Sequence, residues 1–185
     1  RFIYTNIGNK NVKVNKMDYK NLSSDMKRRL REVQRVIERD APAYFAVAWE
    51  RMKDANFAAQ GFVVRGSASP RWAPRKKETP RTAGKRILFG TGTLQNSVHF
   101  TPGKGQVRAW VDLGQVPYAK VHNEGGKVLQ NVRPHHRTSR NGKRYQVRGF
   151  TRKVVFPQRK YLDYSPDIEK SASKDLTAAL NKIFK

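Results

Sequence analysis

The sequence predicts an α+β protein in which N-terminal helices and a C-terminal helix pack on a small antiparallel sheet. Three observations predict this class: apolar residues recur at helical spacing towards both ends, they alternate with a period of two in the middle, and helical and strand patterns are segregated along the chain. The length of 185 residues suits one domain. We expect an N-terminal arm over 1–22 and a single α+β domain over 23–185, which carries a basic insertion at 127–153 as a long loop or hairpin.

The N-terminal third predicts an extended arm followed by helix. A turn signal between short apolar runs over residues 2–14 indicates a hairpin or an extended arm. Ser23 and Ser24 are N-cap candidates for an amphipathic helix, and Pro42 introduces a second helical stretch that ends at Gly61. Two helices and one kinked helix fit this pattern equally well. The apolar face of the first stretch comprises Met26, Leu30, Val33 and Ile37.

The middle of the chain predicts a loop and then a β-hairpin. Residues 61–92 have the pattern of a loop anchored by Trp72, since prolines and glycines interrupt any period. A short helical turn is expected at 93–97. A turn signal at 102–105, followed by the period-two pattern of Val107, Ala109, Val111 and Leu113, then predicts a hairpin over 97–113.

The last third predicts a helical turn, a strand and a helix. The turn covers 118–123 and ends at a pair of glycines, and residues 145–156 have strand composition with Gly149 as a bulge. Ser165 is the N-cap candidate of the C-terminal helix, and Pro166 is its first residue. The apolar face of that helix comprises Ile168, Ala172, Leu176, Leu180 and Phe184.

The positive charge of the chain is concentrated in its middle. The chain has 39 Lys and Arg residues against 14 Asp and Glu residues, a formal net charge of +25, and no acidic residue lies between Glu124 and Asp163. A one-signed block of this kind favours contact with nucleic-acid phosphate or with an acidic protein surface, and a solvated loop is the alternative. The candidate contacts are Lys127, Arg133, Arg137, Arg140, Lys143, Arg144, Arg148, Arg152 and Lys153.

Composition argues against most catalytic classes. Without cysteine the chain has no disulfide, thiolate zinc site or thiol nucleophile. His122 and Glu124 match only the H-x-E half of a zinc deaminase signature, and the adjacent His135 and His136 lack supporting carboxylates. The same shortage of acids disfavours a metal-dependent nuclease. No apolar run is long enough to cross a bilayer, and no signal-like segment opens the chain. We therefore expect a soluble protein without catalytic residues, cofactor or metal.

Four short motifs carry a resemblance to a known family. Trp72 and Pro74 lie in the predicted loop, and they precede LFGTGTLQNSV at 88–98, PYAKVHNEGG at 117–126 and FPQRKYL at 156–162. Together these match a Trp-containing loop, TG-x-L-x-x-S-[IV], YA-x-x-H-x-x-G and P-x-R-x-[FYL]-L, in that order. The chain thus resembles the virion morphogenesis, or tail-completion, family of tailed phages, which is typified by the G protein of Mu-like phages.

The resemblance implies a structural virion protein that completes the tail and joins head to tail in the phage neck. Such a protein would be assembled in the host cytoplasm as a ring, expected to be hexameric, around the DNA channel. Its implied partners are neck adaptor or stopper proteins, tail terminator or tube proteins, and packaged DNA through its backbone, with no membrane. The arm at 1–22 and the insertion at 127–153 depart from the family pattern, and we interpret both as partner-binding extensions. The structural or interface positions that the resemblance marks are Trp72, Gly92, Leu94, Tyr118, His122, Gly125, Pro157, Arg159 and Leu162.

The alternative to this function is a strongly basic, non-catalytic nucleic-acid-binding protein. It would bind DNA or RNA as a lone subunit, through the phosphate backbone and with strong salt dependence, because the sequence contains no pattern of a base-reading motif.

Overall fold

The N-terminal helices form one continuous helix with a wider turn in the middle. The computed structural model of the protein describes residues 23–185, so the predicted arm over 1–22 lies outside the described residues. Helix α1 (Ser24–Arg35) continues through a π-helical turn (Val36–Asp40) into α2 (Ala41–Ala59). Pro42 has no N–H to donate to the preceding turn, so the regular hydrogen-bond ladder is interrupted here and a π-turn takes its place. The open question of two helices or one is thereby resolved.

The helices predicted further along the chain are present. Short helices α3 (Thr93–Asn96) and α4 (Ala119–Glu124) lie at the two expected helical turns. Helix α5 (Pro166–Ile183) begins where predicted, and its N-cap Ser165 accepts a hydrogen bond from the Asp167 N–H at 3.4 Å.

The described strands form four separate two-stranded antiparallel sheets, so the expectation of one small sheet is wrong in this detail. Each strand finds its partner close by, as a hairpin or as the continuation of one. The pairs are β1 (Gly61–Val64) with β2 (Ser67–Arg71), β3 (Val98–Gly103) with β4 (Gln106–Val111), β5 (Gly126–Val132) with β8 (Phe150–Phe156), and β6 (His135–Thr138) with β7 (Arg144–Val147). The α+β class and the hairpin over 97–113 are confirmed.

Two predicted elements are corrected. The first part of the expected loop over 61–92 is the β1–β2 hairpin, whose turn places both Arg65 and Gly66 at positive φ, the conformation of a type I′ turn. The single strand expected over 145–156 is instead two strands separated at 148–149. Glycine is favoured at position 149 because a Cβ would lie 3.1 Å from Cδ of Pro134 on the facing segment.

The core lies between α2, the β3–β4 hairpin and the first turns of α5. Its aromatic centre is Phe57, which contacts Trp72 edge-on at 5.5 Å and Tyr161 at 5.7 Å between ring centroids. Other buried members are Trp49, Leu94, Val98, Ala109, Val116, Leu162, Ile168 and Ala172.

Two predicted apolar faces remain partly uncovered in the described part of the chain. No residue of α1 is buried, and Ile37, just beyond it, is 52% exposed. In α5 the apolar face is buried at Ile168 and Ala172, whereas Phe184 at the other end is 60% exposed. Both ends therefore present apolar side chains that no described residue covers fully.

Candidate functional site

The four sequence motifs meet in one part of the core, although up to 90 residues separate them along the chain. Trp72 and Leu94 belong to the same buried cluster as Ala119 and Leu162. Gly92 has a φ of +82° and forms the turn into α3, the short helix that carries the buried Leu94. The motif residues therefore build the domain. A long hairpin extends from the part of the domain where they meet.

Two buried asparagines fix the segment that follows β8. The Asn123 side chain accepts hydrogen bonds from the backbone N–H groups of Tyr161 and Leu162, both at 3.0 Å, and donates to the Leu162 carbonyl at 3.0 Å. Asn56 on α2 donates to the Tyr161 carbonyl at 3.1 Å and accepts from the Val63 N–H at 2.7 Å. Because no strand within residues 23–185 pairs with this segment, the two side chains supply the bonds that a β-ladder would otherwise provide.

The Arg and Trp motifs are joined by hydrogen bonds. Arg159 is buried, and its guanidinium donates to the carbonyls of Ala73 at 2.9 Å and Pro74 at 3.2 Å. Trp72 Nε1 donates in return to the Lys160 carbonyl at 2.8 Å. Arg159 therefore holds the loop after Trp72 against the segment that follows β8. Its guanidinium makes its hydrogen bonds within the subunit.

Gly125 stands where α4 passes into β5. Its φ of +72° with ψ of −173° is a conformation that is essentially restricted to glycine. A Cβ at this position would lie 2.9 Å from the Gln158 nitrogen and 3.1 Å from its Cα. The motif glycine thus allows the two chain segments at the base of the hairpin to approach closely.

His122 is half-buried at the same base. Its ring contacts Tyr118 at 5.8 Å and Phe156 at 5.7 Å between centroids, both edge-on. The contact with Tyr118 is the one expected for residues four apart on a helical turn. Nδ1 is buried without a hydrogen-bond partner among residues 23–185. Burial, together with the positive charge of Arg159, lowers the pKa of His122 below its ordinary value.

A long β-structured extension projects from this base, which we call the basic hairpin (residues 126–156). Strands β5 and β8 pair over seven residues on each side, and β6 and β7 pair beyond them. In the described part of the chain, these strands make their substantial contacts with one another and not with the core. All nine candidate cations of the sequence lie on this hairpin and are exposed, and none forms an ion pair with a described residue.

The basic hairpin has two parts of different chemistry. The proximal ladder (126–132 with 150–156) carries only Lys127, Arg152 and Lys153 of the nine cations, and it exposes apolar side chains, including Leu129 at 72%. The distal segment (133–148) carries the other six cations. The exposed large apolar residues of the proximal ladder are Val128, Leu129, Phe150 and Val155, whereas Tyr145 is the only such residue in the distal segment.

Sequence reasoning missed several residues that build this site. It placed Asn123 in a motif without a role and did not select Asn56, because both act on residues about 40 to 100 positions away. For the basic stretch, sequence reasoning relied on the charge and did not predict strands β5 and β6. The apolar residues Val128, Leu129 and Val132 do not alternate with polar ones, so the period-two signal of a half-buried strand is absent there.

The described residues contain no group of three or more His, Asp or Glu side chains placed to hold a metal ion. Within the same range, no helix combines the length and apolar character that spanning a membrane requires.

The four motifs thus build an α+β domain from which the basic hairpin projects. The phage virion morphogenesis family matches the chain over residues 19–181, so the protein belongs to that family. Membership implies a structural role in building the virion. Neither the curated proteins nor the solved structures yielded a match.

Proposed function

We propose that the protein is a tail-completion protein, which forms a ring in the neck of the virion and joins head to tail. The observation that carries this proposal is the basic hairpin. This long, exposed, two-stranded extension offers most of its surface to molecules outside its own subunit. A two-stranded ribbon alone is marginally stable in water, and it gains support when a partner covers it.

Exposed apolar surfaces support an oligomeric ring. The proximal ladder presents Leu129 and Val155 on one face, with Val128 and Phe150 on the other. A second apolar surface, around Ile37, follows α1. Apolar surfaces on separate parts of one subunit suit a head-to-tail arrangement, in which one surface meets a different surface of the next copy and the rotation closes a ring. We expect six copies.

The partners of such a ring are neck adaptor or stopper proteins on the head side and terminator or tube proteins on the tail side. No step of catalysis is part of this function. Assembly would take place in the host cytoplasm and end at the head–tail junction of the virion.

Location in the particle tests the proposal. Purified virions are separated into heads, tails and soluble lysate, and each fraction is probed for the chain by quantitative mass spectrometry. We expect a small, fixed copy number at the junction. Its absence from particles, or a copy number as high as that of a capsid or tail-tube subunit, would exclude the neck role.

A variant sharpens this test. Leu129→Ser with Val155→Ser changes only exposed side chains of the proximal ladder, so the subunit should fold while incorporation into particles falls. Thr151→Ser, on the same face and also exposed, serves as the control. Normal incorporation of the double variant would show that this face is not an assembly surface.

A second candidate function is that of a free nucleic-acid-binding protein, which the six cations of the distal segment favour. It predicts that the chain is found in lysate on nucleic acid and not in particles. The fractionation experiment separates the two functions directly.

A further inference from the structure

The distal segment of the basic hairpin carries a high density of charge, and all of that charge is positive. Its six cations are spread over 16 residues, and it contains no acid that could neutralise them internally. Five of the six are arginines, whose planar guanidinium groups match the geometry of phosphate oxygens. The six are Arg133, Arg137, Arg140, Lys143, Arg144 and Arg148.

We propose that the distal segment binds the phosphate backbone of double-stranded DNA, independently of base sequence. The charge and geometry of the hairpin itself favour phosphate as the ligand. The choice of duplex DNA rests on the proposed function, since packaged DNA passes through a neck.

The two cations on the paired strands lie on opposite faces of the ribbon. Arg137 pairs with Tyr145, and the next pair along the ladder joins Thr138 to Arg144. Because successive pairs point to opposite faces, Arg137 and Arg144 project in opposite directions. A two-stranded ribbon is narrow enough to enter the major groove, where phosphates flank it on both sides. Charge on both faces fits that position better than it fits a flat surface.

Local hydrogen bonds hold part of the segment in place. Arg137 Nε donates to His135 Nε2 at 3.1 Å, and His135 Nδ1 lies 2.9 Å from the Arg133 carbonyl oxygen. The terminal nitrogens of Arg137 form no hydrogen bond with any described residue, so they are available to a phosphate. At the tip, the Ser139 N–H donates to the Lys143 carbonyl at 2.8 Å, which closes the turn that carries Arg140. Ordering of the cations before binding reduces the entropy that binding costs.

The surface of the distal segment is unlike that of a protein interface. Interfaces between proteins have an apolar centre that excludes water, and the only large apolar residue exposed here is Tyr145, at 46%. Interfaces with DNA are more polar and more positive. The proximal ladder has the opposite composition, so the two parts of the hairpin are suited to different partners.

Binding of a labelled random-sequence duplex to the full-length chain, followed by fluorescence anisotropy over a salt series, tests the proposal. If all six cations contact phosphates, affinity should fall about 10³-fold between 50 and 200 mM salt. The triple variant Arg137→Gln, Arg140→Gln, Arg144→Gln should lose only about 40-fold over that range, because three fewer contacts reduce the logarithmic salt slope by about 2.7.

A control with the same change in net charge makes the result specific. The triple variant Lys76→Gln, Lys77→Gln, Arg81→Gln removes three exposed cations from the loop after Trp72, and it should bind with the wild-type slope. Thermal unfolding of both variants checks that the fold is retained. An equal loss of slope in the two triple variants, or no loss in the first, would overturn the assignment to the distal segment.

Competitors test the chemistry of the ligand. Poly-glutamate that competes as well as the duplex would overturn the proposal in favour of an acidic protein partner, and equal binding of single-stranded DNA would overturn the choice of duplex. These measurements use the isolated chain, so their failure would leave the neck location untouched. Conversely, a chain absent from the neck could still show the predicted salt slope.

Discussion

Polar side chains are buried and hydrogen-bonded at the base of the basic hairpin, whereas they are exposed in its distal segment. At the base, Arg159, Asn123 and Asn56 are buried, and their hydrogen bonds are made within the subunit. In the distal segment every cation is exposed, and none has an ionic partner among the described residues. The difference teaches that a positive charge in this chain has two uses. One arginine joins two motifs of the fold, while six other cations are free to bind something else.

The largest effect on stability is expected at Asn123. Asn123→Ala would leave the two N–H groups and the carbonyl that it now satisfies buried without partners, and each such group costs about 1–3 kcal/mol. We expect the free energy of unfolding, measured in urea, to fall by about 3–5 kcal/mol.

Asn131→Ala is the matched control in the proximal ladder. Asn131 is exposed, and its side chain accepts one hydrogen bond, from Thr151, so the change should cost under about 0.5 kcal/mol. Similar losses at the two positions would contradict the distinction between base and hairpin.

The next largest effect is expected at Gly125. Gly125→Ala combines a backbone conformation that disfavours Cβ with a contact of 2.9 Å to the Gln158 nitrogen, and together these should cost about 2–4 kcal/mol. Gly142→Ala has nearly the same φ, +76°, but nothing lies within 4 Å of the added Cβ. Its cost to global unfolding should be under about 1 kcal/mol, because strain at the tip of the hairpin can be relieved by local opening. If the two losses are equal in chemical denaturation, the close approach at Gly125 has no energetic role.

A smaller effect, dependent on pH, is expected at His122. The pKa of His122 is lowered in the folded state, so below its ordinary value near 6.5 the unfolded chain binds more protons than the folded chain. The free energy of unfolding should therefore fall as the pH is lowered through 6.5. Denaturation of His122→Phe should depend less on pH over this window, and an unchanged pH dependence would rule out His122 as its source.

The smallest effect on stability is expected from removal of the hairpin itself. Replacing residues 127–155 by Asn-Gly joins Gly126 to Phe156, whose Cα atoms are already paired. The core buries none of the removed side chains, so the midpoint of thermal unfolding should change by only a few degrees. A large drop would show that the hairpin is part of the folding unit.

Elements specified by local sequence were predictable. Ser165 and Pro166 define the start of α5 by capping and by backbone constraint, and the alternation over 97–113 defines a hairpin through its period. The four motifs identified the residues that meet in the core. The α+β class and the family followed from these local signals.

The remainder depends on contacts between distant residues. The β1–β2 hairpin was missed because Arg65 adopts a positive φ that its residue type does not favour. The division of the strands into four separate sheets is a result of tertiary packing, which periodicity does not encode. The roles of Asn56 and Asn123 arise only when the segment after β8 reaches them.

The pairing of the basic hairpin limits how its length can change. A single residue added to one strand would shift the alternation and exchange the two faces of the ladder. Two residues added to each strand preserve the faces and lengthen the ribbon by roughly 7 Å. We therefore expect relatives whose hairpins differ in length to differ by insertions in multiples of four residues, divided equally between the two strands.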